Sequence, residues 1–169
     1  MLTKMYLTNF LSFSKKTEFD FTASKYNILS ERNVSNKNIL KGALFIGPNA
    51  SGKSNVLRGI GLIIRLIKDT GSSIANYCCY FAENSTTEIE YEFNFDDNIV
   101  NYKISYDLLE KKLSETLSID DKNVLMRNGN RGEIILGENS ITDDNLENDT
   151  LFLRTASFNT GKFPSEPTL

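Results

Sequence analysis

Histidine, glutamine and tryptophan are absent from the 169-residue chain, and only 3 prolines and 2 cysteines occur in it. Without histidine there is no Ser-His-Asp triad, no Cys-His pair and no His-ligated zinc site. Cys78 and Cys79 are adjacent. A disulfide between sequence neighbours is strained and two thiols alone make a poor metal site, so they read as reduced thiols, at least one packed in the core. No apolar run approaches the roughly 20 residues of a spanning helix; the best, residues 60–67, is interrupted by Arg65. Lys4, Asn9, Lys15 and Lys16 break up the start of the chain, which therefore lacks the apolar core of a secretion signal. A net charge of -3 with pI near 5.1 signals no broad nucleic-acid-binding face. The expectation is a cytoplasmic globular protein with no membrane partner.

What is present suffices for a core: 40% apolar and 11% aromatic residues, with 24% charged. Residues 2–9 alternate loosely, with Leu2, Met5 and Leu7 as core candidates, and residues 17–22 alternate cleanly, with Phe19 and Phe21 opposite Glu18 and Asp20. Together they predict a pair of neighbouring strands. A short strand is expected at residues 26–29 and a polar loop at 30–38. Residues 43–46 are continuously apolar, as in a strand buried on both faces. A Gly-rich turn follows at residues 47–52, then a helix over 53–69 that Gly71 stops. Its apolar residues Val56, Leu57, Ile60, Leu62, Ile63, Ile64, Leu66 and Ile67 cover nearly the whole circumference, so burial on several sides is expected. Gly59 and Gly61 inside it point to close backbone packing. From residue 87 the period becomes two, through Ile89, Tyr91, Phe93, the Asp96-Asp97-Asn98 turn, then Tyr102, Ile104 and Tyr106, and on through Leu113, Leu117 and Ile119 to about residue 136. That pattern predicts an antiparallel meander with one wet face. Residues 141–150 suit a short helix, 151–153 a last apolar run, and 160–169 a frayed tail.

One motif carries chemistry. Gly47-Pro48-Asn49-Ala50-Ser51-Gly52-Lys53-Ser54 is a complete G-x-x-x-x-G-K-[ST], set between a strand-like run and a helix. The glycines let successive N–H groups turn inward around phosphate oxygens. The helix start adds unpaired N–H groups and the positive end of its dipole. Lys53 supplies a mobile charge for the β- and γ-phosphates, Ser54 a hydroxyl for Mg²⁺, and Asn55 opens the helix with a polar side chain. ATP and Mg²⁺ are the expected ligands, with Gly47, Pro48, Asn49, Ala50, Ser51, Gly52, Lys53, Ser54 and Asn55 the expected nucleotide contacts and Ser54 the metal contact.

The loop GPNASGKS, with Asn49 and Ser51, resembles that of ABC-type and SMC-type ATPases. Asn9-Phe10-Leu11-Ser12-Phe13 is similar to the ENFRSF segment of bacterial AAA-type ATPases of the abortive-infection and overcoming-lysogenization-defect kind. Leu11 departs from that pattern, standing where those proteins carry Arg or Lys. Phe10 and Phe13 read equally as core residues. The resemblance implies an α/β fold: a P-loop NTPase lobe of the ABC/SMC-like kind, with N-terminal strands, P-loop strand and helix, and an antiparallel β-subdomain at residues 87–136. The lobe would span residues 1–159.

Hydrolysis also needs an acid beside Mg²⁺ and a group that positions water. The nearest acidic runs end in Asp96-Asp97 and Asp120-Asp121, but both follow alternating strands and read as turns. No signature motif is present, and the family's switch histidine and Q-loop glutamine cannot be. The resemblance therefore implies the N-terminal part of a longer ATPase, able to bind ATP or ADP and inactive alone. Its partners would be the C-terminal ATPase half or an effector protein, with homodimerisation and nucleic-acid contact left to the full-length assembly and a role in phage defence or nucleic-acid processing. A self-contained P-loop kinase or GTPase is the alternative, but no Asn-Lys-x-Asp occurs and arginines number six. An interaction module that keeps the loop without nucleotide is the third reading.

Overall fold

The computed structural model describes residues 1–24, 29–68, 73–148 and 150–158. Eight strands form one sheet: β1 (Leu2–Thr8), β2 (Thr17–Asp20), β3 (Thr86–Phe95), β4 (Asn98–Asp107), β5 (Lys112–Ile119), β6 (Lys122–Asn128), β7 (Arg131–Leu136) and β8 (Asn139–Asp143). Their order is β2-β1-β3-β4-β5-β6-β7-β8, and every pairing is antiparallel. The helices are α1 (Ser30–Asn33), α2 (Lys53–Lys68) and α3 (Phe152–Phe158), with a 3₁₀ turn at Ile74–Tyr77.

Alternation in the sequence becomes alternation in burial. On β1 Thr3, Met5 and Leu7 face inward, on β3 Thr87, Ile89 and Tyr91, and on β4 Tyr102, Ile104 and Tyr106. Register follows: Ile89 lies opposite Ile104 and Tyr91 opposite Tyr102, and a slip of one residue would turn this whole set toward water. Phe93 shares the face but is only half-buried.

Helix α2 lies on this face. A Cβ at Gly59 would meet both Leu7 methyls at 3.2 Å and the Met5 sulfur at 3.3 Å, so glycine sets how closely helix and strand approach. The buried Tyr91 hydroxyl donates to the Gly59 carbonyl at 2.7 Å. Burial pushes the phenol well above its ordinary pKa. Val56, Leu62 and Leu66 complete the contact, each side chain contributing about 1.5–3 kcal/mol. Gly61 has no such packing role, since only the tip of Arg65 comes near it.

At the other end of the sheet, Glu115 and Arg127 face each other across β5 and β6, both fully buried, with a 3.2 Å contact. Glu115 also accepts from the Tyr102 hydroxyl at 2.6 Å and from the Phe152 N–H at 2.7 Å at the head of α3. Arg127 donates to the carbonyls of Gly129, Glu147 and Thr150. The pair thus fastens the segment after β8, and α3, to the sheet. Every polar group is hydrogen-bonded, which is the condition for burying charge.

Several expectations need correction. Residues 43–46 form no strand; they pair with no strand of the sheet, and Leu44 and Ile46 are 83% and 86% exposed. A strand buried on both faces needs a sheet to join and a covering layer on each face, and residues 43–46 have neither, while the second flank of β1 is paired with β2. Helix α2 is likewise buried on one face only, with Leu57 and Ile64 in water. Residues 139–143 are a strand, because the hairpin with β7 sets Ile141 against Ile134; the helix comes later, as α3. Residues 30–33 make one helical turn inside the expected loop. The strand expected at 26–29 falls mainly on residues 25–28, outside the described residues, as do Asp69, Gly71 and the tail at 160–169.

Candidate phosphate-binding site

The loop from Gly47 to Ser54 runs exposed into the head of α2. Asn49, Ala50, Ser51, Gly52, Lys53, Ser54 and Asn55 line an open, mainly polar hollow of about 400 Å³. Ala50 and Gly52 have positive φ, 63° and 89°, the alternation of backbone hands that turns N–H groups toward one point. The Ser51 N–H donates to the Pro48 carbonyl at 3.3 Å, and those of Asn55 and Val56 to the Gly52 carbonyl at 2.9 and 3.0 Å. These bonds wind the loop directly onto the first turn of the helix.

Lys53 is the only basic residue among residues 47–55. Its ammonium folds back, donating to the Gly47 carbonyl at 2.8 Å, the Pro48 carbonyl at 2.6 Å and the Ser51 hydroxyl at 3.3 Å. A cation held by three loop oxygens is positioned to exchange them for stronger anionic acceptors. The Ser54 hydroxyl is exposed one residue further on. Asn55 is occupied otherwise: its amide donates to the Ser12 hydroxyl at 2.9 Å, and Arg58 reaches its carbonyl oxygen at 3.4 Å.

The segment Asn9-Phe10-Leu11-Ser12-Phe13 packs beneath the loop. It is a tight turn closed by reciprocal bonds between Phe10 and Phe13, of 2.9 and 2.8 Å, with Asn9 and Leu11 at φ 51° and 50°. Phe10 is fully buried and stacks on Tyr77 at 5.5 Å. Asn9 is buried too; its side-chain N–H₂ donates to the carbonyls of Asn84 and Thr86, and its side-chain oxygen accepts from the Cys79 N–H. The Phe13 ring lies 3.1 Å from where a Gly52 Cβ would stand. Leu11 brings no cation to the loop.

The acidic runs are turns. Asp96 has φ 52°, Asp120 48° and Asp121 63°, each in a two-residue hairpin connection that favours such angles, and Asp120 accepts from the Ile99 N–H at 2.9 Å. Among the described residues no group of three or more His, Cys, Asp or Glu side chains is arranged to hold a metal.

The family described as "AAA domain, putative AbiEii toxin, Type IV TA system" matches residues 43–160, more than half of the chain. The chain belongs to this family. It is thus an AAA-type P-loop ATPase domain of a kind associated with abortive infection. A search of curated proteins returned no match. The match opens on the exposed apolar run before the loop and covers α2, the meander and α3, whereas β1, β2 and the turn that braces the loop precede it. No helix among the described residues is long and apolar enough to cross a membrane.

Sequence reasoning missed two contacts that hold the structure together. The Ser12–Asn55 contact joins residues 43 positions apart and leaves no local pattern. The Glu115–Arg127 pair did leave one: Glu115 sits on the Leu113–Leu117 face and Arg127 on the Leu125 face, charged residues in apolar register.

Proposed function

We propose that the chain is the nucleotide-binding lobe, residues 1–159, of an ABC/SMC-like ATPase, and that it binds Mg-ATP or ADP at residues 47–54. The observation that carries this is the Lys53 ammonium, held on three loop oxygens at the head of a 16-residue helix. The donor set suits a polyphosphate with its metal: inward N–H groups, one cation, and the Ser54 hydroxyl. When bound, Mg²⁺ neutralises phosphate charge. Lys53 would exchange its carbonyl partners for β- and γ-phosphate oxygens, and Ser54 would orient toward the metal.

The same reading makes the lobe incomplete for hydrolysis. Phosphoryl transfer depends on positioning and electrostatic stabilisation, and Asp96, Asp97, Asp120 and Asp121 are committed to hairpin turns. A second support is the apolar surface beside the loop. Leu44, Ile46, Leu57 and Ile64 are exposed, and Leu40, Phe45 and Ile60 help line an adjoining groove of about 340 Å³. Exposed apolar area of this kind marks a surface that another layer covers. The rest of an ATPase head or a partner effector would supply it, in a homodimeric assembly engaged in phage defence or nucleic-acid processing in the cytoplasm.

Isothermal titration with Mg-ATP, ADP and GTP tests the binding. Losing the Lys53 contact removes roughly 1.5–3 kcal/mol, so Lys53→Ala should weaken adenine-nucleotide binding about tenfold or more. Unchanged affinity would overturn the assignment. Steady-state phosphate release tests the incompleteness: Lys53-dependent turnover on the order of 1 s⁻¹, typical of complete sites, would overturn it.

A further inference from the structure

We infer that Ser12 is a positioning residue for nucleotide binding: its hydroxyl, held by the rigid turn of residues 9–13, fixes the first turn of α2 and the Gly52 corner of the loop without touching phosphate. This rests on the assignment of residues 47–54 as the nucleotide site.

The turn is anchored from below. Asn9 and Phe10 are fully buried, Phe10 and Phe13 exchange backbone hydrogen bonds, and the Leu11 N–H donates to the Tyr77 carbonyl at 2.7 Å. Four of its five members are thus held by burial or by backbone hydrogen bonds, which ties the turn to the sheet. Ser12 is the exposed member, and its hydroxyl points up at the loop. It accepts from the Asn55 amide at 2.9 Å and lies 3.1 Å from where a Gly52 Cβ would stand, beside the Phe13 ring at the same distance. Gly52 at φ 89° is the residue on which the loop turns into the helix, and its carbonyl accepts from Asn55 and Val56. One short contact therefore ties the corner of the phosphate loop to the core. Asn55 looked in sequence like a ligand contact; its amide is instead spent on this tie.

The physical effect is preorganisation. A loop whose corner is fixed loses less freedom when a ligand arrives, so affinity rises without a new ligand contact. Because Ser12 is exposed and makes no core contact, removing its hydroxyl should loosen the corner while leaving the folded protein intact.

The experiment titrates Mg-ATP and ADP into the 169-residue protein and its Ser12→Ala, Ser12→Thr, Asn55→Ala and Ser12→Ala/Asn55→Ala variants, with Lys53→Ala alongside. Loss of one neutral hydrogen bond should weaken binding about 3- to 10-fold in Ser12→Ala at an unchanged melting temperature. Ser12→Thr, which keeps the hydroxyl at an exposed position, should restore affinity. The double variant should be no weaker than Asn55→Ala, since both act through one contact. Parent-like binding by Ser12→Ala, or equal weakening in Ser12→Ala and Ser12→Thr, overturns the inference while a weakened Lys53→Ala keeps the nucleotide site. Parent-like binding by Lys53→Ala overturns both.

Discussion

Large apolar residues stand on both long faces of α2 and meet opposite fates. The inner face places Val56, Gly59, Leu62 and Leu66 on β1 and β3, where Met5, Leu7 and Tyr91 wait for them. The outer face holds Leu57 and Ile64 in water, alongside the unpaired run that contains Leu44 and Ile46. Apolar character in a sequence says that a residue gains by burial; it does not say where the covering surface comes from. The inner cover is built by this chain's own meander. The candidate phosphate loop stands at the head of this helix, directly after the exposed run of Leu44 and Ile46, so the candidate site adjoins the part of the helix that the described residues leave uncovered.

Two substitutions on the same helix break this comparison most sharply. Leu62 is fully buried and Ile64 is 55% exposed. Leu62→Asp would put an unpaired carboxylate into the core, at a cost of several kcal/mol even after the group takes up a proton, and should leave the protein unfolded or with a greatly lowered melting temperature. Ile64→Asp pays the same helix-propensity penalty at the surface and should stay within about 0.5–1 kcal/mol of the parent. Thermal unfolding of both variants decides it. An equal loss would mean that the outer face is already packed against something in solution.

The end of the sheet carrying α3 is closed by different means, and the second prediction addresses it. Arg127→Ala would leave Glu115 buried without its counter-charge and remove the guanidinium that donates to the Glu147 and Thr150 carbonyls. Removing one member of a buried pair costs roughly 3–5 kcal/mol. Denaturant unfolding should register that loss, whereas Arg131→Ala, which removes a largely exposed partner of Asp144, should cost at most about 1 kcal/mol. Similar values for the two would show that the buried pair does not hold α3 in place.

What was legible in the sequence follows the same division. Strands β3 to β5 were readable because each has one wet face, and water imprints period two on Ile89, Tyr91 and Phe93 and again on Tyr102, Ile104 and Tyr106. The length of α2 and the Gly-rich turn before it were readable because both are local patterns. Residues 43–46 were misread because burial on both faces is a property of neighbours, and their apolar run encodes a demand without naming its supplier. Strand β8 was missed because Ile141 is the sole strongly apolar residue in Asn139–Asp143, and the strand exists through its pairing with β7. Within the candidate site, the spacing that singles out Lys53 and Ser54 is visible in the sequence; the Ser12–Asn55 contact is not, because nothing in a sequence announces a contact across 43 residues.

The smallest effect sharpens the comparison from the well-packed side, at the turn between β4 and β5. One Asp107 carboxylate oxygen accepts from the Leu109 and Glu110 N–H groups at 2.9 and 3.0 Å, and the other from the Ser85 and Thr86 hydroxyls at 3.0 and 3.1 Å. These bonds favour the ionised form and hold its pKa below the ordinary 3.8, the Glu110 N–H contributing most. A carboxylate whose folded pKa is depressed adds stability above its unfolded pKa, and that stability is lost as pH falls through the folded value. The parent's melting temperature should therefore fall more steeply than that of Asp107→Asn on acidification over roughly pH 5 to 2. At neutral pH the variant should be the less stable, because the Asn side chain offers one oxygen where the carboxylate offers two and its N–H₂ faces the Ser85 and Thr86 hydroxyls or the turn N–H groups. The group is only partly buried, so water screens the gain and the difference in slope should be small. Superimposable pH profiles for the two proteins would show that the turn is held by backbone geometry alone, with the Asp107 charge adding nothing to it.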